Sequence, residues 1–476
     1  MMKRVFLLGG IVSAATLASS GVSAQDVAPL APAPEQPVAT LQQAVEAAID
    51  SQPEVRARWA AFKAAGDDRR EAKAGYLPSI DATGEYGVAD RSFDGRNSYT
   101  RALAEISLSQ MLFDGFLTSS RVNQADQSRQ ARYFELLDAV QQKAFEAIAS
   151  YEDVRSYRET VDLARQNLEQ HAQVLKLMEE RTAAGAGPRA DLEQAKGRYA
   201  LAEANLLTEQ ANLHDVTAVF RRIVGRAPSE NLAPFAVAAD QVPESFPVVM
   251  ESATRRNPAL YAAHASSEAA RYAITEAKSG YFPHVSVGAR AGTYRNASGF
   301  GSQYDPRSHG EEVFAGVTVN YNLFRGGADK ARADAAANRH QQSEDLLDKA
   351  CVDIRQTASI AWNDVQNLNV KLRSLAAHRD GSAAVAAAYE QQFYIGRRSL
   401  LDVLDAKNET FQSRRAYVQA EHELTKANYR TLYSMGTLLD VLGQARPGMP
   451  AVGEINRRGN LPASIECTVQ TGSFAQ

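Results

Sequence analysis

The residues whose types and spacing could do chemistry are concentrated in Gln392–Glu409, which reads Gln-Phe-Tyr-Ile-Gly-Arg-Arg-Ser-Leu-Leu-Asp-Val-Leu-Asp-Ala-Lys-Asn-Glu. Gly396 ends one helical pattern and Ser399 opens another. Ser399 and Asp402 have the Ser-x-x-Asp spacing of a helix N-terminus, where side-chain oxygens satisfy free backbone N–H groups. Asp402 and Asp405 stand three apart and so share a helix face. Carboxylates brought close together favour water, cations or raised pKa values. Lining a narrow pore, they attract cations and repel anions. The alternative is a capped turn whose acids suit the helix dipole. A matching turn, Gly185-Ala-Gly-Pro188, lies about half a chain earlier, and Asp191 aligns with Asp402.

Enzyme chemistry finds little support. The eight histidines are scattered, and none sits in a His-Glu-x-x-His spacing. There is no Gly-x-x-x-x-Gly-Lys-Ser/Thr loop. Gly299-Phe-Gly301 falls in a predicted exposed loop, and His171 and His340 read as surface or seam positions on helices. No catalytic residue, cofactor or metal is expected. Cys351 and Cys467 are the only cysteines, with no framework or metal-type spacing; a pair between them is left open but without support in the sequence, and two free thiols are the expectation. A net charge of −4 gives no electrostatic case for nucleic acid.

The elements that must position the acids unfold in chain order. Lys3 and Arg4 precede an apolar run from Val5 to Ala18 and then Val22-Ser-Ala24, so residues 1–24 read as a secretory signal cut before Gln25. Residues 25–40 are Pro- and Ala-rich and read as a linker. No later stretch approaches the roughly 20 apolar residues of a spanning helix. A helical pattern from Leu41 to about Ala74, broken near Pro53, stops at Gly75-Tyr-Leu-Pro78. Pro78–Ala89 and Arg101–Phe113 alternate with period two: Ile80, Ala82, Tyr86 and Val88, then Ala102, Ala104, Ile106 and Leu108, mark the apolar faces. A helical run from about Phe116 to Ala184 contains no Pro or Gly and would reach on the order of 100 Å. A return helix follows from Arg189 to about Val224, completing a first repeat over 41–225.

Residues 226–247 read as a connector, and over 248–440 the plan recurs. Gly280-Tyr-Phe-Pro283 answers Gly75-Tyr-Leu-Pro78; strands are expected at His284–Tyr294 and Glu312–Phe324; Leu323-Phe-Arg-Gly326 answers Leu112-Phe-Asp-Gly115. A long helix over about Ala328–Ile395 and a return helix from Ser399 to about Met435 complete the second repeat. Residues 441–476 are expected as a loosely ordered tail. The fold class is therefore α+β: long α-helical hairpins with a four-stranded antiparallel contribution to a shared transmembrane β-barrel. Sheet edges in lipid leave backbone groups without partners, at several kcal/mol each. Known barrels begin at about eight strands. Several copies must then close one barrel, unless the sheet belongs to a soluble periplasmic protein.

The doubled Gly-Tyr-Leu/Phe-Pro helix exits, the Leu-Phe-x-Gly strand exits and the Gly-Arg-Arg-Ser-Leu-Leu-Asp-Val-Leu-Asp-Ala tip resemble the TolC family of outer-membrane factors over about Leu41–Gly443. The resemblance implies a homotrimer in outer-membrane lipid with a helical barrel extending into the periplasm. It implies work beside a periplasmic adaptor (membrane fusion) protein and an inner-membrane ABC or proton-driven transporter. Arg398 matches the family's tip arginine, Asp402 and Asp405 the acids of the periplasmic aperture, and Asp191 a latch partner. The family's latching tyrosine falls at Phe393, which lacks a hydroxyl, while Tyr394 points elsewhere on its helix. Ala190 replaces a polar partner of the arginine. The latch is expected to be weaker or differently wired. Gly185, Gly187, Gly396, Ser399, Leu400, Leu401 and Val403 are candidates for adaptor docking, with hairpin packing as the alternative. The tip favours type I protein secretion. The other readings are multidrug or small-molecule efflux and a periplasmic coiled-coil scaffold.

Overall fold

The computed structural model describes residues 36–89, 99–186, 188–235, 241–296, 309–456 and 461–467. The expected signal segment, the loop between the first two strands, Gly299-Phe-Gly301 and Gly187 lie outside the described residues. Helix α1 (Leu41–Ser51) starts with a reciprocal cap: Thr40 Oγ1 accepts the Gln43 N–H at 3.3 Å, and Gln43 Oε1 accepts the Thr40 N–H at 3.3 Å. Pro53 opens α2 (Pro53–Ala74) at a position where a missing N–H costs nothing. Strands β1 (Ser79–Ala89) and β2 (Tyr99–Phe113) follow, then α3 (Leu117–Ala183) and α4 (Arg189–Val224). The second repeat runs α5 (Phe246–Arg256), α6 (Pro258–Lys278), β3 (His284–Arg295), β4 (His309–Asn320), α7 (Ala328–Tyr394) and α8 (Leu400–Ser434). Two short helices, α9 (Leu438–Leu442) and α10 (Val452–Ile455), end the described chain. Each long helix has 67 residues, about 100 Å at 1.5 Å per residue.

The strands form one antiparallel sheet in the order β1-β2-β3-β4. Its register stacks Ile80, Leu108, Ala289 and Ala315 in one row, and Ala82, Ile106, Ala291 and Val313 in the next. Because side chains alternate, this puts every expected apolar position on one face. In a single chain that face is bare: Ile80 is 69% exposed and Val313 82%. The opposite face carries ion pairs, Arg101 to Glu85 at 3.2 Å and Arg290 to Glu312 at 3.3 Å. Neither β1 nor β4 has an outer neighbour among the described residues. Strand ends differ from expectation: β2 starts two residues early, at Tyr99, and β4 differs at both ends. β4 starts at His309 and stops at Asn320, so Tyr321–Phe324 leave the sheet. Asn320 pairs with His284, and before His284 stand Pro283, which has no N–H, and Phe282, turned back onto Ser279. Nothing remains there for Tyr321 to pair with.

The main core surrounds α3, where Tyr133, Leu136, Ile148, Tyr151 and Val154 pack against α1, α6, Phe220 and Leu432. The two repeats are unequal in this respect. α3 is buried along much of its length, whereas α7 leaves Leu346, Ile360, Val370 and Val385 exposed. The C-terminal segment corrects two expectations. Cys351 and Cys467 are not free thiols but a disulfide with Cα atoms 5.6 Å apart. A separation of 116 residues hides this pairing in the sequence; the return of the tail alongside α7 creates it. Nor are the described residues of the tail loose. Ile465 is buried and donates its N–H to Thr254 O at 3.2 Å, and the Tyr133 and Tyr261 hydroxyls donate to Pro450 O and Pro462 O at 2.8 and 3.2 Å.

Candidate functional site: the helical tips

Both long helices end in the same device. The Ala186 N–H reaches back to Arg181 O at 2.9 Å and the Gly185 N–H to Thr182 O at 3.0 Å; the Arg397 N–H reaches Gln392 O at 2.8 Å and the Gly396 N–H Phe393 O at 3.0 Å. This closing pattern needs a left-handed residue, supplied by Gly185 at φ +69° and Gly396 at φ +74°. Ser399 then caps α8. Its Oγ accepts the Asp402 N–H at 3.2 Å, and Asp402 Oδ2 accepts from Ser399 Oγ at 2.9 Å and Ser399 N at 3.4 Å. Asp402 is therefore both helix cap and tip carboxylate.

Leu400 and Leu404 are buried among Val174, Met178 and Ala195, and Val403 is buried as well, so the second hairpin packs onto the first at its end. This revises the docking candidates. Leu400 and Val403 face their own chain's core, whereas Leu401 stays exposed, as do Tyr394 and Ile395. Arg398 lies over the Tyr389 ring at 4.2 Å, donates Nε–H to Gln392 Oε1 at 2.9 Å, and holds Nη1 3.8 Å from Asp402 Oδ2. Arg181 lies 5.1 Å over the Phe393 ring, a cation–π contact between the first and second hairpins. Arg398 and Asp191 are not brought together within the chain; Asp191 sits in the first turn of α4, where the helix dipole favours an acid. Asp405 is bonded instead by Arg198.

Sequence reasoning missed Arg198, although it follows Asp191 by two helical turns on the same face. It also missed two polar clusters farther in. Lys407 is buried and donates to Glu390 at 3.0 Å. His171, 2% exposed with Nδ1 unpartnered, has its pKa pushed down to about 4 by burial and by the Lys407 and Arg198 charges. Nearer the main core, His422 lies between Glu152, bonded at Nδ1, and Glu159, 3.3 Å from Nε2. Burial opposes its charge, but both carboxylates favour it and hold its pKa up at about 9. Arg155 supports Glu152 at 2.6 Å, and Lys426 bridges Asp153 at 2.7 Å. Glu209, 3% exposed, joins Arg415 at 2.7 Å and Thr160 at 3.2 Å. The alternation of polar and apolar residues along the seams carries no signal for these partners, which lie up to 273 residues apart.

The sequence model of a family described as "Outer membrane efflux protein" matches residues 44–226 and 249–436, one segment per repeat. The chain is 30% identical over 376 residues to outer membrane efflux protein BepC of Brucella suis biovar 1, covering 78% of this chain and 80% of that one. It is 25% identical to the proteases secretion protein PrtF of Dickeya chrysanthemi, over 84% of this chain and 88% of the relative. Its fold is similar to the Campylobacter jejuni CmeC outer membrane channel, with a TM-score of 0.74 at 12% identity, over 84% of this chain and 86% of that structure.

Proposed function

The chain belongs to the outer membrane efflux protein family, the TolC family, and from that premise we propose that three copies close one barrel and one duct whose periplasmic mouth is guarded by Asp402 and Asp405. As a member it is not an enzyme but an outer-membrane channel of a tripartite export system, extending into the periplasm. The observation that carries the trimer is the four-stranded sheet with a bare apolar face and two open edges. Lipid tolerates neither open edges nor so few strands. Cyclic copies satisfy both, each β4 edge meeting the next β1 edge. The exposed apolar residues of α7 supply a second seam between copies.

At the mouth, symmetry gathers two acids per copy near one axis. They favour cations and disfavour anions in transit. Opening moves the tips outward, and Arg398 exchanges Gln392, Tyr389 and Asp402 for new partners. A periplasmic adaptor that binds only the open form shifts that balance. Its docking surface is the exposed tip around Gly185, Gly396 and Leu401, and an inner-membrane ABC or proton-driven transporter supplies the cargo.

The cargo proposed is polypeptide, through type I secretion. The support is the near-complete overlap with a relative named for protease secretion. A second reading, small-molecule efflux, is favoured by the higher identity to a relative named for efflux. Deleting the gene and comparing secreted polypeptides with drug sensitivity tests the choice. Loss of a secreted polypeptide at unchanged drug sensitivity supports the first reading; the reverse supports the second.

A further inference from the structure

We infer that Gly310 and Gly316 set the bore of the barrel: they leave the space in which the Tyr294 and Phe314 rings lie down along its inner wall, so that a bulky, extended cargo passes. The inference rests on the reading that three copies close one barrel, with the polar face of the sheet lining the passage.

The register fixes what shares that face. Arg290 pairs with Phe314 and Tyr294 with Gly310, and alternation adds Glu312 and Gly316. All four glycines of β3 and β4 fall on the polar face and none on the apolar one. None has a positive φ, so backbone conformation does not call for them. Space does. A Cβ on Gly292 would stand 2.8 Å from Ala104 O, and one on Gly288 3.3 Å from Leu108 O, so these two glycines serve the close approach of β2.

Gly310 and Gly316 serve something else. A Cβ on Gly310 would stand 2.7 Å from the Tyr294 hydroxyl oxygen and 3.1 Å from Tyr294 Cε1. One on Gly316 would stand 2.7 Å from Phe314 Cζ and 3.1 Å from Phe314 Cε1. Strand side chains ordinarily stand roughly perpendicular to the sheet. These two rings lie across it, each over a glycine. Arg290 completes the layer: its guanidinium is 5.0 Å over the Phe314 ring, and Nη2 reaches Glu312 Oε1 at 3.3 Å. The largest side chains of the second hairpin's polar face are thus held against the wall and against one another. A single methyl at Gly310 or Gly316 meets only the far end of a ring, which swings away from the wall while the backbone stays in place.

This predicts an asymmetry. If ring and glycine pair only to stabilise the strands, removing either weakens the sheet and leaves the bore alone. If the glycines keep the rings flat, filling the glycines narrows the bore, and removing the rings does not widen it.

The test uses intact cells carrying the full-length channel with Ser109→Cys. Ser109 lies on the polar face, in the row of Gly288 and Gly316, nearer the helices than either ring. Cys351 and Cys467 are held in one disulfide, so the introduced thiol is the sole free one. Maleimides are applied from outside: a small one, and polyethylene-glycol maleimides of increasing size. The small reagent and polymers up to a limiting size are expected to label. Adding Gly310→Ala and Gly316→Ala is expected to abolish labelling by the largest of those polymers while the small reagent still reacts. Further adding Tyr294→Ala and Phe314→Ala is expected to restore it. Tyr294→Ala with Phe314→Ala alone is expected to leave the size limit unchanged, and this variant keeps the inference testable if the alanine pair assembles poorly. An unchanged limit in the alanine pair, or a larger limit on removing the rings alone, overturns the inference. If the small reagent labels the thiol only after the protein is unfolded, the barrel reading fails and takes this inference with it.

Discussion

His422 offers the most quantitative test of how α8 is held to α3. The imidazole is 5% exposed and bridges Glu152 and Glu159, with Arg155 and Lys426 at the margins and Tyr429 beside Glu152. Its pKa stands near 9 in the folded chain against 6.5 ordinarily. The folded value is the higher one, so the stabilisation is complete below the unfolded value and fades as pH rises through the folded value. Proton linkage then gives about 2.5 kcal/mol per chain at neutral pH and about 0.5 kcal/mol near pH 9. His422→Gln removes the charge while keeping a hydrogen-bonding side chain. It is expected to lower unfolding free energy by about 2–3 kcal/mol per chain near neutrality. The assay is guanidinium unfolding of the detergent-solubilised protein from about pH 6 to about pH 10. The difference between wild type and variant should shrink steadily above neutrality and nearly vanish at the alkaline end. A difference that stays constant across this range refutes the claim that a charged imidazole clamps the two helices.

Other outcomes follow from the same structure. Cys467→Ser opens the bond to Cys351, which closes a 116-residue separation, and is expected to cost about 2–5 kcal/mol and expose residues 443–467 to limited proteolysis; equal protease resistance would contradict the packed tail. Leu404→Ala empties a fully buried site between the hairpins and is expected to cost about 2–5 kcal/mol, read as faster tryptic cleavage at the tips. Asp402→Ala with Asp405→Ala should lower cation preference in bilayers, and unchanged selectivity would remove both acids from the pore.

Much of the backbone was legible because it is written in short-range rules. Gly75-Tyr-Leu-Pro78 and Gly280-Tyr-Phe-Pro283 follow helix ends at Ala74 and Lys278, with the proline barring resumption while Gly75 stays right-handed at φ −60°. The period-two faces of β1 to β4 survived into the sheet because register and alternation reinforce each other. The Ser399–Asp402 cap is local and was read correctly. What failed depends on how helices rotate against one another. Arg198 and Asp405 are 207 residues apart, and His422 and Glu152 are 270 apart. A seam of Ala, Val and Leu fixes which face turns inward but not which polar residue meets which. The duplication also misled. Treating α3 and α7 as equivalents hides that one is wrapped by the core and the other lies open. For Leu400, buried against the first hairpin, and for Val403, buried beside it, the structure matches the hairpin-packing alternative.

The central claim is that one chain holds only part of a wall. It is tested most directly by the native mass of the protein extracted in detergent from outer membranes. A mass of three chains is predicted, each copy closing the open β1 and β4 edges of its neighbours. A single chain recovered from the soluble periplasm, with the Ile80 and Val313 face covered by its own residues, would contradict it.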